Sequence, residues 1–104
     1  VWWHNKNFYL GHDEPMYKVD VKYLQDYRLW CHAKNLEAII EMVDNDIHYF
    51  WHQSDDITLT SKGYIWAYPG KQPIKNSIAV LPEIHKDDIS NCIGVCSDII
   101  ETYK

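Results

Sequence analysis

Three short stretches carry side chains able to do chemistry at the spacing of a β-strand, where alternate residues share a face. In residues 29–34 one face would hold Trp30, His32 and Lys34, and the other Leu29, Cys31 and Ala33. Residues 47–52 group His48, Phe50 and His52 in the same way, and residues 64–68 group Tyr64, Trp66 and Tyr68. Leu29, Cys31 and Ala33 are small and apolar enough to pack under a helix. The opposite faces, gathered inside a barrel, would make a lumen of Trp, Tyr, His and one Lys, which is too polar for a plain core. Removing an ammonium from water is costly unless an anion compensates it. Lys34 stands at the C-terminal end of its strand, where barrel enzymes place their sites. It therefore implies a bound phosphate or a neighbouring carboxylate, unless its stem lets the charge snorkel to solvent.

The other polar groups each carry two readings. His32 and His52 are ligands or substrate contacts, or else buried imidazoles satisfied by backbone carbonyls. Trp66 is the wall of a pocket or part of a core. Glu83 and Asp98 end late strands and could supply carboxylates to a site, or be solvated turn acids. The pairs Asp55-Asp56 and Asp87-Asp88 read as helix or turn caps.

The elements that must position these groups can be read from pattern. Residues 1–4 and 8–11 are apolar-aromatic runs around Asn5-Lys6-Asn7, and asparagine tolerates positive φ, so they predict a hairpin with a short loop. Pro15 ends that unit, and Asp20 can cap a short helix over 21–27. Asn35 caps the strongest helix, 36–43, in which Leu36, Ile39, Ile40 and Val43 recur at helical spacing. Strands are expected to begin near Val1, Leu29, Ile47, Tyr64, Ile78 and Ile93, with a short helical turn over 87–90. Strands alternating with helical or polar connectors predict an α/β chain on a parallel sheet. The late connectors are shorter than the dozen or so residues of a usual parallel crossover, which favours helices reduced to turns.

The 104 residues suit one domain spanning 1–104. Hydrophobic residues make up 46% and charged residues 24%, an ordinary globular balance. Five Trp and eight Tyr against two Phe bring apolar bodies with polar tips, suited equally to a cleft and to a small core. A formal charge of −5 repels nucleic acid and anionic membranes, so an anionic ligand needs a local positive site. No apolar run approaches the roughly 20 residues that span a bilayer. Three cysteines, Cys31, Cys92 and Cys96, argue against a disulfide framework and for a reducing, cytoplasmic setting.

The segment Gly11-His12-Asp13-Glu14-Pro15, reached through a strand and a short hairpin, resembles the glycerophosphodiester phosphodiesterases and the wider phospholipase-C-like barrels. In that family the matching histidine is one of two acting as general acid and base, which makes His12 the candidate catalytic residue, with Asp13 holding it or contacting substrate. The family's Glu-x-Lys triplet is similar to His32-Ala33-Lys34, which assigns Lys34 to the phosphate and His32 to the metal-binding position. Imidazole there departs from the oxygen ligands that calcium and magnesium favour. Trp66, and Gly94-Val95-Cys96-Ser97-Asp98, are similar to the family's late tryptophan strand and its Gly-x-x-Thr-Asp close. The resemblance implies a small or incomplete TIM-type (β/α) barrel with an early β-hairpin and shortened late helices, lacking the family's first strand. It also implies metal-assisted hydrolysis of a glycerophosphodiester or similar small phosphodiester, as in lipid metabolism. Mg or Ca would be the cofactor and no organic cofactor is needed; Glu83 is a second candidate ligand, and His52 and Trp66 are candidate substrate contacts. The family's His-Arg-Gly and its early acidic ligands are not in the sequence, so the 104 residues alone should be nearly inactive. The alternative is a degenerate barrel that binds a sugar or polar headgroup without hydrolysing it.

Overall fold

The computed structural model describes residues 1–104, which divide into two compact units, Val1–Gln53 and Ser54–Lys104. In the first unit β1 (Trp2–His4), β2 (Asn7–Leu10) and β3 (Tyr17–Val19) form an antiparallel sheet in that order. Asn5 and Lys6 both take positive φ, 49° and 62°, in the two-residue loop between β1 and β2. That backbone matches the twist of a tight hairpin, and asparagine lowers its cost. The hairpin expected from sequence is therefore present.

A short helix α1 (Val21–Leu24) leads to β4 (Cys31–Ala33), α2 (Leu36–Asp44) and β5 (Tyr49–Trp51), with β4 and β5 parallel. Val1 joins this pair to the hairpin: its nitrogen donates to the His32 carbonyl, and its own carbonyl accepts from the Lys34 N–H at 2.8 Å. These two bonds straddle Ala33 and run Val1 parallel to β4. Asn35 extends the junction, with Oδ1 accepting from the N–H of Trp3 and of Ala38, and Nδ2 donating to the Trp3 carbonyl. One side chain thus caps α2 and replaces a missing strand residue beside β1.

The core of the first unit lies between α2 and its strands: Phe8, Leu24, Cys31, Ala33, Ala38, Met42 and Ile47, flanked by Val1, Trp3 and Ile39. Cys31 and Ala33 pack inward, as the strand alternation predicts. The helix turns differently from its leading apolar repeat. Ala38 and Met42 are at 0% exposure, while Leu36, Ile40 and Val43 are 64%, 52% and 57% exposed. A face carrying alanine lets a helix approach its strands closely, which a stripe of branched side chains would prevent.

In the second unit β6 (Ile57–Leu59), β7 (Ile65–Ala67), β8 (Ser77–Val80) and β9 (Gly94–Cys96) form one sheet in that order. The first pair is antiparallel and the other two are parallel, and a 3-10 turn, Ile100–Tyr103, follows. Its buried side chains are small: Ala67, Ala79, Val80, Pro82, Thr60 and Ser77. Ser77 is satisfied inside, donating to the Ile74 carbonyl at 2.7 Å and accepting from Gln72 Nε2 at 2.9 Å.

This architecture corrects the barrel. A (β/α) barrel needs a closed ring of parallel strands with helices outside. Here three sheets of three, two and four strands stay open, with two α-helices in the whole chain. The hairpin and the β6–β7 pair run antiparallel, and the β7–β8 and β8–β9 connections hold turns where a barrel has helices. The expected helical turn over 87–90 does not form either. The chain remains α/β, without closure.

Candidate functional site

The chemistry-bearing residues of the first unit gather on the sheet face away from α2. Val1 and Trp3 pack against the core with Cys31 and Ala33. The alternate residues Trp2, His32, Lys34, Phe50 and His52 therefore take the other face. Cross-strand register sets His32 opposite Phe50. Their rings stack with centroids 4.8 Å apart and planes at 23°. The His52 ring lies edge-on to His32 at 6.5 Å, and one step earlier Trp30 meets the buried His48 at 4.5 Å. The result is an aromatic and imidazole ladder along β4 and β5, ending at Lys34.

His32 is half-buried, and its Nε2 lies 3.0 Å from the His52 carbonyl oxygen. A carbonyl can only accept, so Nε2 carries the proton and the neutral ring keeps its lone pair on Nδ1. Burial pushes the His32 pKa below its usual 6.5; the carbonyl bond works against this, while the Lys34 and His52 charges add to it. His32 is consequently a neutral imidazole of fixed tautomer near neutral pH. Lys34 is half-buried beside it and makes no ion pair.

His12 lies in the turn after β2. Its Nδ1 is 2.9 Å from Asp13 Oδ1, with the two side chains 92% and 93% exposed. Such an exposed pair contributes little stability, about 0–1 kcal/mol. The turn itself is held firmly. Met16 N–H donates to the Leu10 carbonyl at 2.9 Å, and the Trp2 indole N–H donates to the Gly11 carbonyl at 2.8 Å. A Cβ on Gly11 would stand 1.8 Å from the Glu14 carbonyl oxygen, so only glycine closes this turn. Trp2 thus ties the His12 turn to the strand next to Lys34. The indole tie was not legible in the sequence, where Trp2 is one of two adjacent tryptophans. His12 and Lys34 themselves share no hydrogen bond.

Trp66 and Glu83 belong to the second unit. Trp66 is half-buried on β7, level with Thr58 and Ile78, and its side chain hydrogen-bonds Tyr68. Glu83 follows β8, and its Oε1 accepts from the Ser97 hydroxyl at 2.9 Å and the Tyr103 hydroxyl at 3.0 Å. Desolvation there raises the Glu83 pKa, but its own backbone N–H and the two hydroxyls outweigh this and lower it. Glu83 fastens the terminal turn to the end of β8.

The metal site expected at His32 and Glu83 does not form. No group of three His, Cys, Asp or Glu side chains lies close enough to hold an ion. The donors are also engaged elsewhere: His32 Nε2 on a carbonyl, and Glu83 Oε1 on two hydroxyls. Asp98 lies next to Ser97 but adds no third donor. Cys31, Cys92 and Cys96 are free thiols; burial raises the pKa of Cys31 and Cys96 and keeps them protonated.

No family model, curated protein or solved structure matches the chain. No helix is long and apolar enough to cross a membrane.

Proposed function

We propose that the protein binds a small phosphodiester, or a phosphorylated polar headgroup, at the Lys34 end of the β4–β5 face turned away from α2, with Lys34 holding the phosphate. One observation carries this reading: a half-buried lysine whose ammonium has no carboxylate partner, beside a neutral imidazole and at the end of an aromatic ladder. An anion there finds an ammonium that no carboxylate of the fold already engages. His32 Nδ1 accepts a hydrogen bond from a ligand hydroxyl, and His52 lines the approach. The likeness of His32-Ala33-Lys34 to the phosphodiesterase triplet points the same way.

Hydrolysis is a second reading, favoured by His12 and Asp13. A carboxylate on Nδ1 fixes an imidazole with Nε2 outward, the arrangement of a general acid or base. In this reading Lys34 fixes the phosphate, a water oxygen bonds to phosphorus as the bond to the leaving alkoxide breaks, His12 Nε2 gives that alkoxide its proton, and the proton lost by the water passes to solvent.

Titration with glycerophosphocholine, followed by calorimetry, tests binding. Lys34→Ala should weaken it about tenfold or more, the loss of a hydrogen bond to a charged group, and Lys34→Arg should restore part of the affinity. Equal affinity in wild type and Lys34→Ala would overturn the reading. Turnover of bis-(p-nitrophenyl) phosphate that vanishes in His12→Ala supports hydrolysis, whereas binding without turnover leaves the non-hydrolytic reading standing.

A further inference from the structure

The first unit has a concave surface on the side of the sheet that faces α2. It is a cavity of about 300 Å³ between the β1–β2 hairpin, the start of α1 and the C-terminal half of α2. Register separates it from the Lys34 face. Trp3, Phe8 and Val19 stand level across β1, β2 and β3 and point to the α2 side, while Trp2, Tyr9 and Lys18 point away. Trp3 forms its aromatic wall, backed edge to face by the buried Phe8 with ring centroids 4.9 Å apart.

The polar lining groups are not used up on one another. Lys6, Asp20 and Glu41 all border the cavity, yet none of them forms an ion pair. Asp20 occupies the N-cap position of α1 but makes no side-chain capping bond, although aspartate is among the best residues for one. Asn45 spends its Nδ2 on the Glu41 carbonyl, which leaves its Oδ1 as an acceptor. The Trp3 indole N–H has no protein partner, in contrast to that of Trp2. Around one hollow, then, stand two carboxylates and an amide oxygen as acceptors, with an ammonium and an indole N–H as donors.

We propose that this cavity binds a monosaccharide-sized polyol, its hydroxyls donating to Asp20 and Glu41 and its apolar ring face resting on Trp3. Hydroxyls both donate and accept, so one ring can engage every lining group at once, including Lys6 and the Trp3 indole. Two carboxylates against one ammonium repel a phosphate, so the ligand class differs from that of the Lys34 face. The volume is at the small end of the range for ligand pockets, about 300–1,000 Å³, and fits one ring better than a nucleotide.

Saturation-transfer NMR with glucose, galactose, mannose and myo-inositol tests the site on the full chain. At least one of the four should show transfer, and Asp20→Asn and Glu41→Gln should each weaken it about tenfold, as expected for losing a charged acceptor. The wild-type protein provides a readout that no folding defect can confuse: the Trp3 indole N–H resonance should shift on addition of that compound, and the Trp2 indole resonance should not. Absence of transfer from all four compounds, or transfer that both variants leave unchanged, would overturn the proposal. So would shifts confined to the Lys34 face.

Discussion

His32 shows how much a single residue can be forced into one protonation state by its neighbours. Half its surface is covered, one nitrogen is tied to the His52 carbonyl and an ammonium stands close by. The imidazolium is disfavoured in the fold and not in the unfolded chain, so the unfolded state takes up a proton first as pH falls. The contribution of His32 to stability is therefore fully present above its usual pKa of 6.5 and is lost below it, as pH falls through the depressed folded value. Following the His32 ring protons by NMR should give a pKa below 6.5 in the folded protein. Glycerophosphocholine at saturation should move it upward, because a phosphate near Lys34 offsets the cation that depresses it. A titration midpoint above 6.5 without ligand would mean that the ring is solvated and the ladder open. Strand alternation made His32, His52 and Lys34 legible as one face. The bond from His32 to a backbone carbonyl was one of two readings, and only the distance between β4 and β5 decides it.

At the scale of elements, Asn35 and α2 bear most of the first unit's organisation. The sequence shows Asn35 as a helix cap; it does not show that the same amide pairs with both backbone groups of Trp3, because that partner is 32 residues away. Asn35→Ala should cost about 2–4 kcal/mol, the sum of a lost cap and two backbone groups left without partners. Asn35→Asp keeps the acceptor and loses the donor, so urea unfolding should rank it between alanine and wild type. Equal stability of Asn35→Ala and wild type would mean that α2 is not anchored to β1 as described. The helix itself carries a second lesson. Its large aliphatic residues define it in the sequence, yet Ala38 and Met42 are the ones it buries. Met42→Ala should cost about 2–5 kcal/mol and Ala38→Leu about 1–3 kcal/mol by overpacking. Ile40→Glu, on the exposed side, should stay within about 0.5 kcal/mol of wild type. A large loss in Ile40→Glu with little in Met42→Ala would place the helix the other way round.

At the scale of the whole molecule, local pattern and global closure part company. Hairpin, central helix and most strands follow from turn residues and periodicity, which act over a few positions. Which strand pairs with which, and in what direction, depends on partners far along the chain, and no periodicity reports it. Exposed strands such as β3 and β6 also escape notice, because neither carries a buried alternate face. The family resemblance thus implied a ring where the pairings leave three open sheets. Charge is the one global property that the sequence does specify, and it constrains how an anion can bind. With a formal charge of −5, the distant field repels a phosphodiester, and attraction comes from Lys34 at short range. The Debye length shrinks from about 30 Å at 0.01 M salt to about 10 Å at 0.1 M, so added salt screens the distant carboxylates more than a half-buried contact. The affinity for dimethyl phosphate, a phosphodiester of charge −1, should therefore change by less than about threefold between those salt concentrations, and any change should favour binding at the higher one. A site built from several clustered cations would instead weaken as salt is added, because screening reduces their summed attraction. Calorimetry at the two salt concentrations distinguishes them: a clear fall in affinity on adding salt would assign the anion to a basic cluster rather than to Lys34 alone.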